Sequence, residues 1–187
     1  MASSHAAALK GMHLCRALSS AEIDAIAAIA ETREIAAGRE LFREGDPGDG
    51  LFLVVAGEID IVKNSPGGPR SLAHLGEGAI LGEISLLTSE ARSATGRALI
   101  DTRVLHLPMQ PFRALLASGS GSGSNTGSTA ALKMVAAIAE VLSRRLATMN
   151  VKVVELAGKL ESGGQAQPGV KEKELADLHR AMHVWSF

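Results

Sequence analysis

Residues 38–62 read GRELFREGDPGDGLFLVVAGEIDIV, and the fold is decided within this stretch. Residues 45–50 form a dense cluster of turn-forming residues, with a proline where a preset φ helps. An apolar run over residues 51–55 follows, and after Gly57 the residues 58–62 alternate between polar and apolar, as in a half-buried strand. The stretch therefore predicts two β-strands with tight corners, in which the glycines have a structural role.

Short strand patterns continue on both sides of this stretch. With residues 51–56 and 58–63 they make eight in total, the other six lying at residues 34–35, 40–42, 71–75, 79–81, 93–100 and 103–107. Short strands with glycine-rich corners are typical of a jelly roll or a comparable β-barrel. We therefore predict an α+β protein built on an eight-stranded β jelly-roll barrel.

Helix signals flank the predicted barrel. Ser19, Ser20 and Glu22 form a capping-box pattern that opens an alanine-rich helix running to about Thr32. Pro108 ends the last strand pattern, and residues 109–116 predict a short helix. We expect these two helices to flank one end of the barrel.

A second stretch, residues 81–98 with the sequence LGEISLLTSEARSATGRA, carries the candidate binding residues. Gly82 has no Cβ, so the backbone there can approach a ligand closely. Residues 83–87 predict one helical turn whose first N–H groups suit an anion. Arg92 offers a planar fork of donors for a phosphate, and an ionised Glu83 accepts hydrogen bonds from hydroxyl groups. The stretch predicts a pocket for a molecule with a phosphate and a free ribose hydroxyl.

Together the two stretches resemble the cyclic nucleotide-binding domains, the family that includes the bacterial catabolite activator and the kinase regulatory subunits. The first is similar to the family's Gly-Asp-x-Gly-Asp turn, and the second to its phosphate-binding cassette, except that Leu81 stands where an aromatic residue is common. The resemblance implies that Arg92 binds the cyclic phosphate and that Glu83 binds the ribose 2′-hydroxyl. It also implies further ligand contacts from Gly82, Ile84, Ser85 and Ser93.

A long helix is predicted after residue 130. Its apolar residues recur at alternating spacings of four and three, which is typical of a coiled-coil seam, at Val135, Ala139, Leu142, Leu146, Met149, Val153, Leu156 and Leu160. We predict a two-stranded, parallel coiled coil that forms a homodimer through residues 135–160. The alternative is an amphipathic helix packed on its own barrel.

The resemblance adds a role for this helix, because in the family the corresponding helix forms the dimer interface and covers the nucleotide base. Asn150, which has both a donor and an acceptor, is then the candidate residue for reading the base. Cyclic AMP is the expected ligand in preference to cyclic GMP. Before the helix, residues 117–129 are rich in glycine and serine and predict a flexible linker, either engineered or a natural loop.

The predicted domain organisation places a cyclic nucleotide-binding domain at residues 1–160, with the dimerisation helix at 130–160. Residues 161–187 predict a linker and a short helix, with 171–187 as a candidate docking element for a protein partner. DNA-binding family members carry a winged-helix domain after the long helix, and a single helix cannot form a helix-turn-helix. We expect no nucleic-acid partner, in line with a net charge of −1 at pH 7.

The composition also argues against other classes of protein. No apolar run approaches the length of a membrane span, and the single cysteine, Cys15, fits a reducing, cytoplasmic compartment. His179 and His183 have metal-ligand spacing but no carboxylate–His signature around them, so we expect no metal site. The sequence contains no nucleophile elbow and no Walker loop, and we expect a protein that is not an enzyme.

Two functional hypotheses follow. The first is a stand-alone cyclic nucleotide-binding regulatory protein that signals through protein–protein contacts. The second is a dimeric scaffold with the same fold that does not bind nucleotide. The presence of both Glu83 and Arg92 favours the first, because a buried arginine without an anion is costly.

Overall fold

We describe the protein from a computed structural model, in which residues 2–118 and 125–162 are placed. Residues 163–187, which hold the predicted C-terminal helix and all but the first two residues of the predicted linker, lie outside the described residues. The helices are α1 (Ala2–Lys10), α2 (Ser20–Ala27), α3 (Glu83–Thr88), α4 (Met109–Ala117) and α5 (Thr126–Ser162), with a short 3-10 helix at His13–Cys15. Among the described residues, none of these helices has the length and apolar content needed to span a membrane.

All eight predicted strands are present. They are β1 (Glu31–Ile35), β2 (Glu40–Phe42), β3 (Gly50–Ala56), β4 (Ile59–Ser65), β5 (Gly68–Leu75), β6 (Ile80–Leu81), β7 (Thr95–Ala98) and β8 (Thr102–Pro108). They form two four-stranded sheets with the orders β1-β8-β3-β6 and β2-β7-β4-β5. Every pairing is antiparallel.

The predicted barrel is wrong in one respect, because its wall is not closed. The strands make two separate sheets that pack face to face, in the double-sheet form of a jelly roll. Two edge strands are very short: β2 has three residues and a register shift, and β6 has two. Strands of this length pair with one neighbour and leave too few backbone groups to join the facing sheet.

Strand β3 explains why the stretch at residues 51–55 is continuously apolar. Leu51 and Leu53 pack in a core shared with the helices, whereas Phe52 and Val54 pack in the core between the two sheets. Successive side chains of a strand point to opposite faces, so a strand that is covered on both faces needs apolar residues at every position.

The helices cover the outer face of the sheet that contains β3. The capping box is confirmed, with the side chain of Ser19 and that of Glu22 each accepting from the other residue's backbone N–H. The predicted end of this helix was too late, since α2 ends at Ala27 and Glu31 already pairs with β8. Helix α1 was not predicted; its Leu9 is fully buried in the helical core.

Helix α5 begins earlier than predicted, because residues 126–129 of the expected linker form its first turn. A Cβ on Gly127 would lie 2.8 Å from a methyl carbon of Leu115 in α4, and Ser128 is buried. Small residues here let α4 and α5 approach closely. Some of the small residues that suggested a linker are therefore packed between two helices.

The two halves of α5 have different surroundings. In the first half a buried stripe packs on the helical core, formed by Ala130, Ala131, Met134 and Ile138. Lys133 adds an ion pair of 2.8 Å to Glu22 of α2. The first half of α5 is therefore an amphipathic helix packed on its own domain, which is the alternative to the coiled coil. Its buried residues Met134 and Ile138 each come one position before a predicted seam residue. In the second half the seam residues Leu146, Met149 and Val153 are 60%, 56% and 61% exposed, and a coiled coil stays a prediction.

Candidate ligand-binding site

A sharp turn between β6 and α3 builds one wall of the site. Gly82 caps α3 with a left-handed φ of 81°. A Cβ at this position would lie 2.0 Å from Nη1 of Arg92 and 2.9 Å from the carbonyl oxygen of Gly50. Glycine is therefore required here both by the backbone conformation and by the close approach of Arg92.

Arg92 is the more deeply buried of the two arginines that line the site. It is 3% exposed, its Nη2 donates to Oδ1 of Asp49 at 2.5 Å, and its Nη1 lies 3.4 Å from the carbonyl oxygen of Gly82. The guanidinium carbon is 4.6 Å from the ring centre of Phe42 and 5.0 Å from that of Phe52. Its Nε has no hydrogen-bond acceptor among residues 2–118 and 125–162. A buried, oriented guanidinium with an unused donor suits an anionic ligand.

Asp49 holds this arginine in place, which the sequence analysis did not anticipate. Residues 45–50 were predicted to be structural only, yet Asp49 also lies 3.3 Å from Arg33 and 3.4 Å from His106. Burial disfavours the ionised carboxylate, but its electrostatic interactions with His106, Arg92 and Arg33 outweigh burial and hold the pKa of Asp49 below its usual value. The only sequence signal was an acidic residue inside a glycine-rich turn.

Glu83 has a partner that sequence reasoning also missed. It is buried at the start of α3, and its Oε1 accepts from Nη1 of Arg145 at 2.5 Å. Nη2 of Arg145 donates to the carbonyl oxygen of Ile80 at 3.2 Å. Arg145 belongs neither to the stretch at residues 81–98 nor to the predicted seam, so no sequence pattern pointed to it. The ion pair connects the candidate hydroxyl-binding carboxylate directly to α5.

The fold gathers nearly all predicted site residues around one cavity. Six of the seven line it, namely Gly82, Glu83, Ile84, Ser85, Arg92 and Ser93. The rest of the lining is apolar except for Arg145 and consists of Phe42, Ile61, Leu75, Ile80, Leu81 and Ala94. The cavity encloses about 480 Å³, its open mouth included. It therefore offers a cation for an anion, a carboxylate for hydroxyl groups and an apolar wall.

Asn150 is the predicted site residue that the structure does not bring to this cavity. It is exposed on the second half of α5. Asn150 follows Arg145 by five residues, which turns it about 140° around the helix from the face that meets Glu83. Arg145, rather than Asn150, is the α5 residue at the cavity of its own chain. The described residues contain no cluster of three or more His, Cys, Asp and Glu side chains suited to a metal ion.

Several known proteins are similar to this chain in sequence. The family model described as a cyclic nucleotide-binding domain matches residues 32–118. A "Cyclic AMP receptor protein" from Thermus thermophilus is 36% identical over 109 residues, which are 58% of this chain and 50% of that protein. This chain thus spans half of that relative's length.

Two solved structures match over nearly their whole length. A cyclic nucleotide-binding-like protein from Brucella abortus is 30% identical with a TM-score of 0.53, and the match covers 62% of this chain and 99% of that one. The N-terminal domain of a transcriptional regulator from Streptomyces coelicolor is 32% identical with a TM-score of 0.60, covering 76% and 94%. With its fold, its sequence and these matches in agreement, the chain belongs to the family of cyclic nucleotide-binding domains.

Proposed function

We propose that this protein is a cyclic nucleotide receptor that binds the cyclic phosphate at Arg92 and a ribose hydroxyl at Glu83. The observation that carries the proposal is the buried guanidinium of Arg92, which is oriented by Asp49, has its Nε unused and lines the same cavity as Glu83. In a site of low dielectric, such a preformed cation binds an anion with little reorganisation.

Binding is coupled to α5 through Glu83. The ribose hydroxyl and Arg145 would both donate to the carboxylate of Glu83, so an incoming nucleotide shares its negative charge and weakens the contact between Glu83 and α5. A ligand shifts a conformational equilibrium only by its differential affinity for the two states. The nucleotide therefore favours the state in which the second half of α5 is released from the cavity, and this displacement is the regulatory output.

We infer that cyclic AMP is the preferred ligand and that the protein acts in the cytoplasm without catalysing a reaction. The name of the Thermus thermophilus relative, a cyclic AMP receptor protein, supports cyclic AMP as the ligand. Asn150 faces away from the cavity of its own chain, so it can contact a base only in the cavity of a second copy of the chain.

Residues 171–187 are the proposed docking element for a protein partner.

The proposed homodimer uses the second half of α5. Leu146, Met149 and Val153 follow the coiled-coil spacing and are each more than half exposed in the single chain. Pairing two such helices buries this apolar row. A dimeric scaffold without a ligand is the second candidate, and the contact of Arg145 with Glu83 favours it, because that contact occupies one of the two carboxylate oxygens that could accept from a ribose hydroxyl.

Calorimetric titration with cyclic AMP and cyclic GMP tests the proposal. Arg92→Leu should weaken binding by about tenfold to a hundredfold, from the loss of charge-assisted hydrogen bonds worth roughly 1.5–3 kcal/mol. Arg97→Leu, which changes an exposed arginine on β7, is the matched control and should leave affinity unchanged. An unaltered affinity in Arg92→Leu, or no binding of either nucleotide by the wild type, contradicts the receptor function.

The role of Asn150 needs a separate measurement. Asn150→Ala should reduce the preference between the two nucleotides while leaving the contribution of Arg92 intact. An unchanged preference removes Asn150 from the site.

A further inference from the structure

His106 is a buried, titratable residue that the proposed binding site does not use directly. It lies on β8, is 2% exposed, and stacks on Phe52 with ring centres 4.7 Å apart. A Cβ on Gly50 would come within 2.8 Å of its Nε2. The backbone next to the phosphate site is thus shaped to accommodate this imidazole.

The neighbours of His106 define its protonation state. Its Nδ1 lies 2.7 Å from Nη2 of Arg33, and a guanidinium can only donate. Nδ1 must therefore accept, which leaves the proton on Nε2 and the ring neutral. Glu31 also faces Nδ1, but at 3.5 Å and with an exposed side chain. Burial and Arg33 lower the pKa of His106, against the opposing attraction of Asp49 and Glu31.

Nε2 of His106 lies near the carboxylate that holds Arg92 and has no hydrogen-bond partner among the described residues. Nε2 is 3.4 Å from Oδ2 of Asp49, an electrostatic contact longer than a hydrogen bond. Arg33 approaches the same oxygen at 3.3 Å, while Arg92 uses the other oxygen, Oδ1. The side chain of Asp49 is 47% exposed, so without contacts to Oδ2 the carboxylate is free to turn toward water.

We propose that His106 is a positioning residue for nucleotide binding: with Arg33 it fixes one oxygen of Asp49, so that the other holds Arg92 in the orientation that receives the phosphate. This inference rests on the proposed function, since it concerns the geometry of the same site. His106 acts through Asp49 and does not contact the ligand.

Two substitutions separate the polar role of His106 from its packing. His106→Leu keeps an apolar side chain beside Phe52 but removes both ring nitrogens, and should weaken cyclic AMP binding by about fivefold to tenfold. His106→Gln can still accept from Arg33 and donate to Asp49, and should recover most of that loss. Wild-type affinity in His106→Leu overturns the proposal, and so does an equal loss in both variants.

A double-mutant cycle tests the route through Asp49. In an Asp49→Asn background, His106→Leu should cost almost nothing further, because residues that act as one unit are not additive. Independent, additive losses contradict a role through Asp49. If the wild type binds no nucleotide, the proposed function is wrong and the positioning role with it. If the wild type binds nucleotide and His106→Leu has the same affinity, only the positioning role is wrong.

A ligand-free measurement keeps the proposal testable even if His106→Leu does not fold. Imidazole nitrogen NMR shifts of the wild-type protein near neutral pH should show a neutral His106 protonated at Nε2, assigned by the loss of its signal in His106→Gln. A ring protonated at Nδ1, or a charged ring, contradicts the contact geometry from which the proposal is drawn.

Discussion

Gly82 allows the site geometry to be tested by adding a single methyl group. Gly82→Ala places a Cβ 2.0 Å from Nη1 of Arg92 and 2.9 Å from the carbonyl oxygen of Gly50. The backbone is closely packed there, so the side chain of Arg92 must move. The same residue also carries a left-handed φ, which costs an alanine about 1–2 kcal/mol.

Gly78→Ala separates these two effects. Gly78 has a φ of 82°, nearly that of Gly82, but nothing lies within 4 Å of a Cβ there. Both substitutions should therefore lower the free energy of unfolding by about 1–2 kcal/mol through backbone strain, a fall in Tm of about 2–8 °C for a chain of this size. The collision with Arg92 belongs to Gly82→Ala alone.

The assay is calorimetric titration with cyclic AMP, beside a thermal unfolding scan of each variant. Gly78→Ala should bind as the wild type does. Gly82→Ala should bind about tenfold or more weakly, because displacing Arg92 loses at least ~1.5 kcal/mol of charge-assisted hydrogen bonding. Equal affinity in the two variants would refute the reasoning that Gly82 is there to admit Arg92.

Three further predictions concern pH, the cysteine and the long helix. The pKa of His106 is lower in the folded chain than in the unfolded chain, so as the pH falls below 6.5, the ordinary pKa of histidine, the unfolded chain binds a proton there before the folded chain does. The free energy of unfolding should therefore fall with pH in this range. Chemical denaturation at several pH values should show a weaker pH dependence of this free energy for His106→Gln. Cys15 should resist iodoacetamide until the protein unfolds, because burial raises the pKa of its thiol to about 12; mass spectrometry showing rapid native alkylation would contradict this. Leu146→Glu should convert the dimer into a monomer, as measured by light scattering, because it places a charge in the seam. Thr148→Glu lies off the seam and should leave the dimer intact. Equal masses for the wild type and both variants would exclude the proposed interface.

Local patterns were enough to predict the strands and most of the polar residues that line the cavity. The eight strands and the residues from Gly82 to Ser93 could be read from the chain because turns, alternation and a short motif depend on neighbouring residues. The end of α2 was missed because pairing of Glu31 with β8 ends the helix, and that partner is distant in sequence. Asn150 was selected by resemblance alone, and the rotation of α5 placed Arg145 at the cavity instead.

The sequence by itself determined the strand pattern, the turn at residues 45–50 and the residue types that suit a phosphate and a ribose. Only the tertiary structure decided which charges pair. Asp49 meets Arg92, His106 meets Arg33, and Arg145 of α5 meets Glu83. The physical reason is that Coulomb and hydrogen-bond energies depend on the distances between atoms and on their burial, and packing of the two sheets and of α5 sets both.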